Sequence, residues 1–195
     1  MYYIYNKSLN YNKDKYMLKL SSTILITALL LTGCAIEDQL SDDDQPIINP
    51  SVDPNDTLVD AVKRHNEIRA SIFVGSQLIW NEGIAASAEN YAIHLAYKGD
   101  LIHDSDTEYG ENLYASTHAA GYVEAINTWY SEKDNYNYAE NSCEGECSHY
   151  TQIVWKETTE VGCAKATYVN GEFKGGTVVV CRYNPPGNYI GEKPY

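Results

Sequence analysis

The stretch that says most about the fold of this chain is His149-Tyr150-Thr151-Gln152-Ile153-Val154-Trp155. It lies where helical patterns give way to β-rich sequence, and we expect it to be a strand. Because successive side chains of a strand point to opposite faces, alternate residues from His149 to Trp155 would then share one face. His149 is therefore a candidate functional residue, and the sequence on either side supplies its candidate partners.

The sequence before this stretch predicts three helices. The first begins at Asp56 or Thr57, either of which is placed to cap it. The second starts after Asn81 and ends at Gly99, and the third runs from about residue 122 to residue 135. Helices early in the chain and antiparallel strands late indicate an α+β fold.

Residues 1–33 have the features of an export signal. Lys19 precedes a mostly apolar run, Leu20 to Leu31, which is too short to cross a bilayer comfortably. The run ends in Leu31-Thr32-Gly33-Cys34, which resembles the lipobox of bacterial lipoproteins. Cys34 would then be the lipidated first residue and a membrane anchor. The alternative is a plain secretory signal cleaved near Ala35, with Cys34 present by chance.

Residues 34–56 are rich in Asp and Pro, so we expect an extended, solvated tether that leaves residues 57–195 as one domain. Residues 1–33 hold four of the 14 basic residues and one of the 27 acidic residues, so the rest of the chain has a net charge of about −16. This charge repels nucleic acid and anionic membrane surfaces at long range. We therefore expect no nucleic-acid partner, and membrane contact only through Cys34.

Five cysteines in an exported chain predict disulfides. Cys34 takes the odd place if it is lipidated. Two strand-like segments with glycine-rich turn material between them fold as a hairpin about residue 172, which brings Cys163 opposite Cys181. Cys143 and Cys147 then close a small loop of their own. The alternative for this last pair is a zinc site with CxxxC spacing, which the oxidising context disfavours.

Motifs in one consistent order run from Leu58 to Tyr195. The opening stretch, with Thr158 three residues further on, is the first signature, and residues 179–189 (VVCRYNPPGNY) are the second. Shorter matches are HNEIR at 65–69, WN at 80–81, GENL at 110–113 and WYSE at 129–132. Together they resemble the CAP superfamily of cysteine-rich secretory proteins, insect-venom antigens and plant pathogenesis-related proteins.

The resemblance implies a three-layer α-β-α sandwich with a central antiparallel sheet and a central cleft. Two histidines and two glutamates line that cleft in the family. Carried over by motif, they are His103 before Gly-Glu-Asn, Glu111 within it, Glu132 of Trp-Tyr-Ser-Glu, and His149 of His-Tyr-Thr-Gln. We call these four residues the tetrad.

The chain departs from the family pattern in two places. Ser148 stands where the family usually has glycine, so the backbone there must accept a Cβ atom. Plant members also have a third disulfide, whose cysteines would fall near Leu101 and Tyr168, and both are absent here. The joint absence leaves no stranded thiol and agrees with two disulfides in the domain.

The tetrad has the chemistry of a binding site. Two imidazoles suit zinc or another divalent metal, with the glutamates as further ligands or as partners that orient the rings. The alternative is a hydrogen-bonded network that only stiffens the fold.

We expect an exported, lipid-anchored binding protein. Its cleft would hold a divalent metal, lipid or peptide, or its surface would meet a protein partner. Lipid binding is implied by the resemblance alone. A metal-dependent hydrolase (peptidase) using the tetrad, and a structural envelope protein with an inert tetrad, are the alternatives. No Ser or Cys lies in an elbow-like nucleophile motif, so a non-enzymatic role is favoured.

Other charged residues are less informative. His65 and Arg69 share a face of the first helix, and we expect a core histidine beside a solvated arginine. His94 and His118 have no motif around them and are expected at the surface.

Overall fold

The computed structural model describes residues 56–75 and 77–195. The predicted export signal, Cys34 and nearly all of the predicted tether lie outside the described residues. The helices are α1 (Leu58–Ile72), α2 (Glu82–Lys98), α3 (Tyr122–Ser131), a 3₁₀ turn (Glu132–Asn135) and α4 (Ser148–Ile153). The strands are β1 (Ile79–Trp80), β2 (Gly110–Ser116), β3 (Tyr136–Asn137), β4 (Ser142–Cys143), β5 (Glu160–Thr167) and β6 (Thr177–Asn184). Across the described ranges, no helix is both long and apolar enough to span a bilayer.

The main sheet has the strand order β1-β5-β6-β2. β5 and β6 form the predicted hairpin, paired from Glu160–Asn184 to Thr167–Thr177, and β2 lies antiparallel to β6 on its far side. The two-residue strand β1 pairs parallel to β5, so the sheet is mixed at that edge. A second, two-stranded sheet joins β3 to β4.

Helices cover both faces of this sheet, and the alternation of β6 shows how. Val178 and Val180 pack with the alanine-rich face of α2, while Val179 and Cys181 pack with α1, α3 and α4. Period-2 alternation thus divides one strand between two apolar layers. The α+β class and the three-layer α-β-α sandwich are confirmed.

Helix caps position α1, α2 and α3. Thr57 and Asp60 form a reciprocal capping box on α1, and Asn81 caps α2 through its side-chain oxygen. Asp56, the other predicted cap of α1, serves α3 instead: its carboxylate accepts the amides of Tyr122 and Val123 at 2.9 and 3.1 Å. One residue therefore ties the start of the described domain to a helix more than 60 residues away.

Both predicted disulfides are present. Cys163 and Cys181 are directly opposite each other in the β5–β6 ladder, and Cys143 and Cys147 close the small loop before α4. The place expected for the plant-type third disulfide is bridged differently. The buried Tyr168 donates a hydrogen bond from its hydroxyl to the carbonyl of Asp100 at 3.0 Å.

The expectation that residues 149–155 form a strand is wrong. Residues 148–153 are the helix α4, with helical bonds such as Thr151 N to Cys147 O at 3.0 Å. The cause is tertiary: the carboxylate of Glu132 accepts the amides of His149 and Tyr150, which are orphan donors in the first turn of α4. Side chains from His149 to Trp155 consequently do not alternate between two faces.

Two smaller expectations also need correction. The third helix ends at Ser131, and the last four residues of its predicted range form the 3₁₀ turn that starts at Glu132. Arg69 is only 1% exposed rather than solvated. Its guanidinium donates to the carbonyls of Ile153, Trp155 and Thr158 at 2.8–3.0 Å, and these bonds compensate its burial.

Candidate functional site

Glu132 and His149 form the first of two histidine–glutamate pairs. Nδ1 of His149 lies 2.7 Å from Oε1 of Glu132. An ionised carboxylate only accepts hydrogen bonds, so Nδ1 carries the proton. The ring stacks on Trp129 with centroids 6.0 Å apart, and Oε2 of Glu132 is occupied by the amides of α4. The His149 ring is therefore held in one orientation.

His103 and Glu111 form the second pair. Nδ1 of His103 lies 2.8 Å from Oε1 of Glu111, whose side chain is 3% exposed. Oε2 of Glu111 accepts from both Nε and Nη2 of Arg182, at 3.2 and 3.1 Å. Burial alone would raise the pKa of the neighbouring Asp104, but the amide of Asp106 and the Arg182 guanidinium lower it on balance. Glu111 is thus a fixed, charge-compensated partner for His103.

The two pairs are joined through β2, the strand that carries Glu111. Asn112, the next residue, donates from Nδ2 to the backbone carbonyl of His149 at 3.1 Å and to the hydroxyl of Tyr183 at 3.2 Å. The Tyr183 hydroxyl lies 2.9 Å from Nε2 of His65, whose Nδ1 is 2.8 Å from the carbonyl of Ala61. A continuous buried chain of hydrogen bonds therefore runs from α1 to the start of α4.

The direction of these bonds follows from the chemistry. The Ala61 carbonyl only accepts, so Nδ1 of His65 donates and Nε2 accepts from Tyr183. His65 is fully buried, and burial lowers its pKa to about 4, with positive charge on Arg69 and Arg64 acting in the same direction. His65 is therefore neutral at pH 7 and is the core histidine that was predicted.

Both tetrad histidines keep Nε2 available. Each uses Nδ1 to donate to a glutamate, and within residues 56–75 and 77–195 neither Nε2 makes a hydrogen bond. A carboxylate on one ring nitrogen is the usual partner of a histidine that binds a metal through the other. The tetrad thus has the donor chemistry that a divalent metal requires.

An open pocket of about 490 Å³ lies beside α2. Of the tetrad, only His103 lines it, together with Tyr91, His94, Asp104 and Arg182. The sequence predicted one cleft lined by all four tetrad residues. Only one of the four, His103, lines this pocket. His94 and His118 have exposed side chains, as expected, although His94 also lines the pocket.

Sequence reasoning missed two residues that lie beside the tetrad. Arg182 lies within the second signature and pairs with Glu111, so its position in the motif was the available signal. Glu146 offers an oxygen within 4.8 Å of ligand atoms of both Glu132 and His149. No motif marks Glu146, and its only signal is that it lies three residues before His149 in the disulfide loop.

Comparison with known proteins identifies the family. The profile of the CAP group, described as the cysteine-rich secretory protein family, matches residues 62–183. The chain belongs to the CAP family. The resemblance inferred from the sequence motifs is confirmed, and the family's secretory description agrees with the exported location predicted for this CAP chain.

Relatives and solved structures agree with this assignment. Pathogenesis-related protein 1 of Arabidopsis thaliana is 49% identical over 142 residues, covering 72% of this CAP chain and 83% of the relative. Venom allergen-like protein 4 of Schistosoma mansoni is 26% identical with a TM-score of 0.56, covering 70% of this chain and 92% of that one. The crystal structure of NaASP2 with Zn²⁺ is 18% identical with a TM-score of 0.54, covering 78% and 88%, and at that identity the likeness concerns the fold alone.

Proposed function

We propose that this chain is an exported CAP-domain binding protein whose tetrad holds a divalent metal, with zinc as the first candidate. The observation that carries the proposal is the shared geometry of the two pairs. In each, a glutamate holds Nδ1 of a histidine and leaves Nε2 without a hydrogen bond among the described residues, at His103 and at His149. The similar fold of NaASP2 was crystallised with Zn²⁺, which supports the choice of zinc as the probe.

In such a site the histidines and the glutamates would have different roles. His103 and His149 supply the nitrogen ligands, while Glu111 and Glu132 orient them. Glu111 is suited to this role because Arg182 neutralises it, and Glu132 because the α4 amides hold it. A bound zinc ion would supply a positive charge that attracts a carboxylate or carbonyl oxygen of a ligand, which makes a lipid carboxylate or a peptide a suitable occupant.

Isothermal titration with zinc tests the metal site. We expect His103→Ala and His149→Ala to weaken binding at least about tenfold, since loss of a partner of a metal ligand alone typically costs ~10–100-fold. His118→Ala is the matched control, because His118 also faces a glutamate, Glu124 at 2.9 Å, but is 63% exposed. No heat from the folded wild-type protein, or equal losses in all three variants, would contradict the proposal.

Membrane anchoring is the second part of the proposal. It is supported by the apolar run that ends in Leu31-Thr32-Gly33-Cys34 and by the acidic, proline-rich segment 34–56. Residues 1–33 would be removed, and residues 57–195 would be presented on a lipidated Cys34. Metabolic labelling with a clickable fatty acid tests this. A Cys34→Ala protein that still takes up label would refute the anchor and leave a plain secretory signal.

One observation favours a structural role as a second candidate. Glu132 accepts two amides of α4 as well as Nδ1 of His149, so it stabilises the fold whether or not a metal binds. If Glu132→Gln, His103→Ala and His149→Ala lower stability and the folded wild-type protein binds no zinc, the tetrad is a structural network only. The metal-dependent peptidase stays a prediction, and assay of zinc-loaded protein on a peptide library tests it.

A further inference from the structure

The two disulfides of this domain differ in their access to solvent. Cys163 and Cys181 form a cross-strand pair inside the core, where they are 2% and 0% exposed. Cys143 is an exposed residue, although its partner Cys147 is only 2% exposed. A thiol in solution reacts only with a sulfur that it can reach. Access therefore selects the Cys143–Cys147 disulfide, and within it the sulfur of Cys143.

Opening this disulfide removes little constraint from the chain. Cys143 and Cys147 are 4 residues apart, whereas Cys163 and Cys181 are 18 apart. Because the stabilisation by a disulfide rises with the length of the loop that it closes, the short loop contributes less to stability. The core disulfide and the main sheet do not depend on the short loop. We therefore expect the domain to stay folded when Cys143 and Cys147 are reduced.

The short loop also has ties that do not involve sulfur. The carbonyl of Asn135 accepts the amide of Glu144 at 2.8 Å, and Nδ2 of Asn135 donates to the carbonyl of Glu146 at 2.7 Å. Cys143 itself is paired with Tyr136 in the β3–β4 sheet. These bonds hold the two ends of the loop near each other after reduction, so an oxidant can close the disulfide again.

The charge of the loop favours one kind of reductant. Glu144 and Glu146 lie between the cysteines, and among the described residues no lysine or arginine forms an ion pair with either. The attacking species is a thiolate, so glutathione, which carries further carboxylates, is repelled here. A protein dithiol of the Cys-X-X-Cys type forms its thiolate readily, and its second thiol completes the exchange without another encounter. Such a dithiol is the reductant that fits this loop.

We propose that Sγ of Cys143 is the site at which an exported Cys-X-X-Cys dithiol protein reduces the Cys143–Cys147 disulfide of the folded domain. The first thiolate of the reductant bonds to Sγ of Cys143, and the bond to Sγ of Cys147 breaks. Cys147 leaves as a thiolate and takes up a proton. The second thiolate of the reductant then attacks the first reductant sulfur, which releases Cys143 as a thiolate that is also protonated. The domain gains two electrons and two protons, and the reductant becomes a disulfide.

Reduction would act on α4, the helix that follows the loop. The carbonyl of Cys147 accepts the amide of Thr151 at 3.0 Å and its hydroxyl at 3.2 Å, so Cys147 belongs to the first turn of α4. The disulfide ties this residue to β4. Without it, the first turn opens more often and its amides exchange faster with solvent, while β5 and β6 keep their protection. The inference goes beyond the proposed function, because it requires no bound metal.

A trapping experiment on the full chain identifies the attacked sulfur. The probe is thioredoxin in which the second active-site cysteine is replaced by serine, so that the mixed disulfide accumulates. Peptide mapping by mass spectrometry is expected to find the link at Cys143. The matched control carries Cys143→Ser and Cys147→Ser and is expected to form no link within the domain. A link mainly at Cys147, Cys163 or Cys181, or no link in the wild-type domain, overturns the inference.

Unmodified thioredoxin with differential alkylation measures the two reduction rates. We expect Cys143–Cys147 to be reduced at least about tenfold faster than Cys163–Cys181 in the folded domain, with cooperative thermal unfolding retained. In guanidinium chloride both disulfides are exposed, and the ratio is expected to fall to about threefold or less. Equal rates in the folded domain, a ratio that survives unfolding, or loss of cooperative unfolding on reduction overturns the inference.

Two further readouts test the reductant and the effect on α4. Glu144→Gln combined with Glu146→Gln is expected to raise the rate with glutathione at least about threefold, and an unchanged rate overturns the choice of a protein dithiol. Hydrogen exchange of the reduced wild-type protein is expected to rise in residues 148–151 and to stay unchanged in β5 and β6. Equal rises in all three segments overturn the inference, because reduction would then loosen the whole domain.

Discussion

His65 makes the stability of this CAP domain depend on pH in a direction that can be measured. The ring is fully buried between the Ala61 carbonyl and the Tyr183 hydroxyl, and burial lowers its pKa from 6.5 to about 4. Between these two pH values the unfolded chain binds a proton that the folded chain does not. The contribution of His65 to the free energy of unfolding is therefore complete above pH 6.5 and is lost as the pH falls toward 4.

The size of the effect follows from the two pKa values. Each unit of pKa difference corresponds to about 1.4 kcal/mol, and linkage with pKa values of 6.5 and about 4 gives a loss of about 2 kcal/mol between pH 7.5 and pH 5.0. A His65→Gln variant lacks the titrating ring. Its free energy of unfolding lies below that of the wild type at pH 7.5, and the gap shrinks by about 2 kcal/mol at pH 5.0.

Urea denaturation of both proteins at pH 7.5, 6.5, 5.5 and 5.0 measures this gap. Titration of other groups cancels to first order in the difference, and His118→Gln, which removes an exposed histidine, serves as the control for the loss of an imidazole ring from the surface. A constant gap between wild type and His65→Gln would refute the reasoning. It would mean that the folded ring takes up its proton near the ordinary pKa of histidine. The hydrogen bonds that join Ala61, His65, Tyr183 and Asn112 would then not all be formed.

Three further predictions concern packing and caps. Gly162→Ala places a Cβ atom 2.2 Å from the backbone nitrogen of Ala85, so α2 must move away from β5. We expect the free energy of unfolding to fall by at least about 2 kcal/mol, measured by thermal unfolding. An unchanged midpoint would contradict the close approach of α2 to β5. Tyr168→Phe removes the hydroxyl that bridges the place of the missing third disulfide, which should cost about 1 kcal/mol in urea, and no loss would mean the bond is not formed. Asp56→Asn weakens the cap of α3 and removes the charge that forms the 2.6 Å ion pair with Lys165. We expect the free energy of unfolding to fall by about 1–2 kcal/mol, with a smaller loss in high salt. A loss that does not depend on salt would count against the ion pair.

Local sequence was sufficient for the features that depend on neighbours in the chain. Thr57, Asn81 and Gly99 mark helix ends because caps are made by residues within one turn. The pairing of Cys163 with Cys181 follows from the register of one hairpin. The order of the family motifs supplied the three-layer architecture, which these local signals alone do not contain.

The errors share one physical origin, contacts between residues distant in the chain. The β-branched and aromatic stretch after His149 was expected to be a strand, and the carboxylate of Glu132 stabilises it as a helix by accepting its first amides. Arg69 was expected in solvent, and carbonyls more than 80 residues away surround it. Tertiary partners overrode local propensity in both cases.

The residues of the candidate site were predictable from the family motifs, but their surroundings were not. The family motifs named all four tetrad residues, and the structure pairs them as His103 with Glu111 and His149 with Glu132. Whether they bind metal stays a prediction. Glu146 lies near His149 but has no motif, because its position depends on the loop closed by the Cys143–Cys147 disulfide and on its hydrogen bond from Ser148.

The most direct test of metal binding at this site is anomalous diffraction at the zinc absorption edge, from crystals of the domain grown with zinc. We predict a strong anomalous peak about 2.0–2.1 Å from Nε2 of His149, the usual length of a zinc–imidazole bond. Density that joins the same ion to Nε2 of His103 would show that both tetrad histidines are ligands. Clear diffraction with no peak at His149, or with peaks only on exposed carboxylates, would contradict the account.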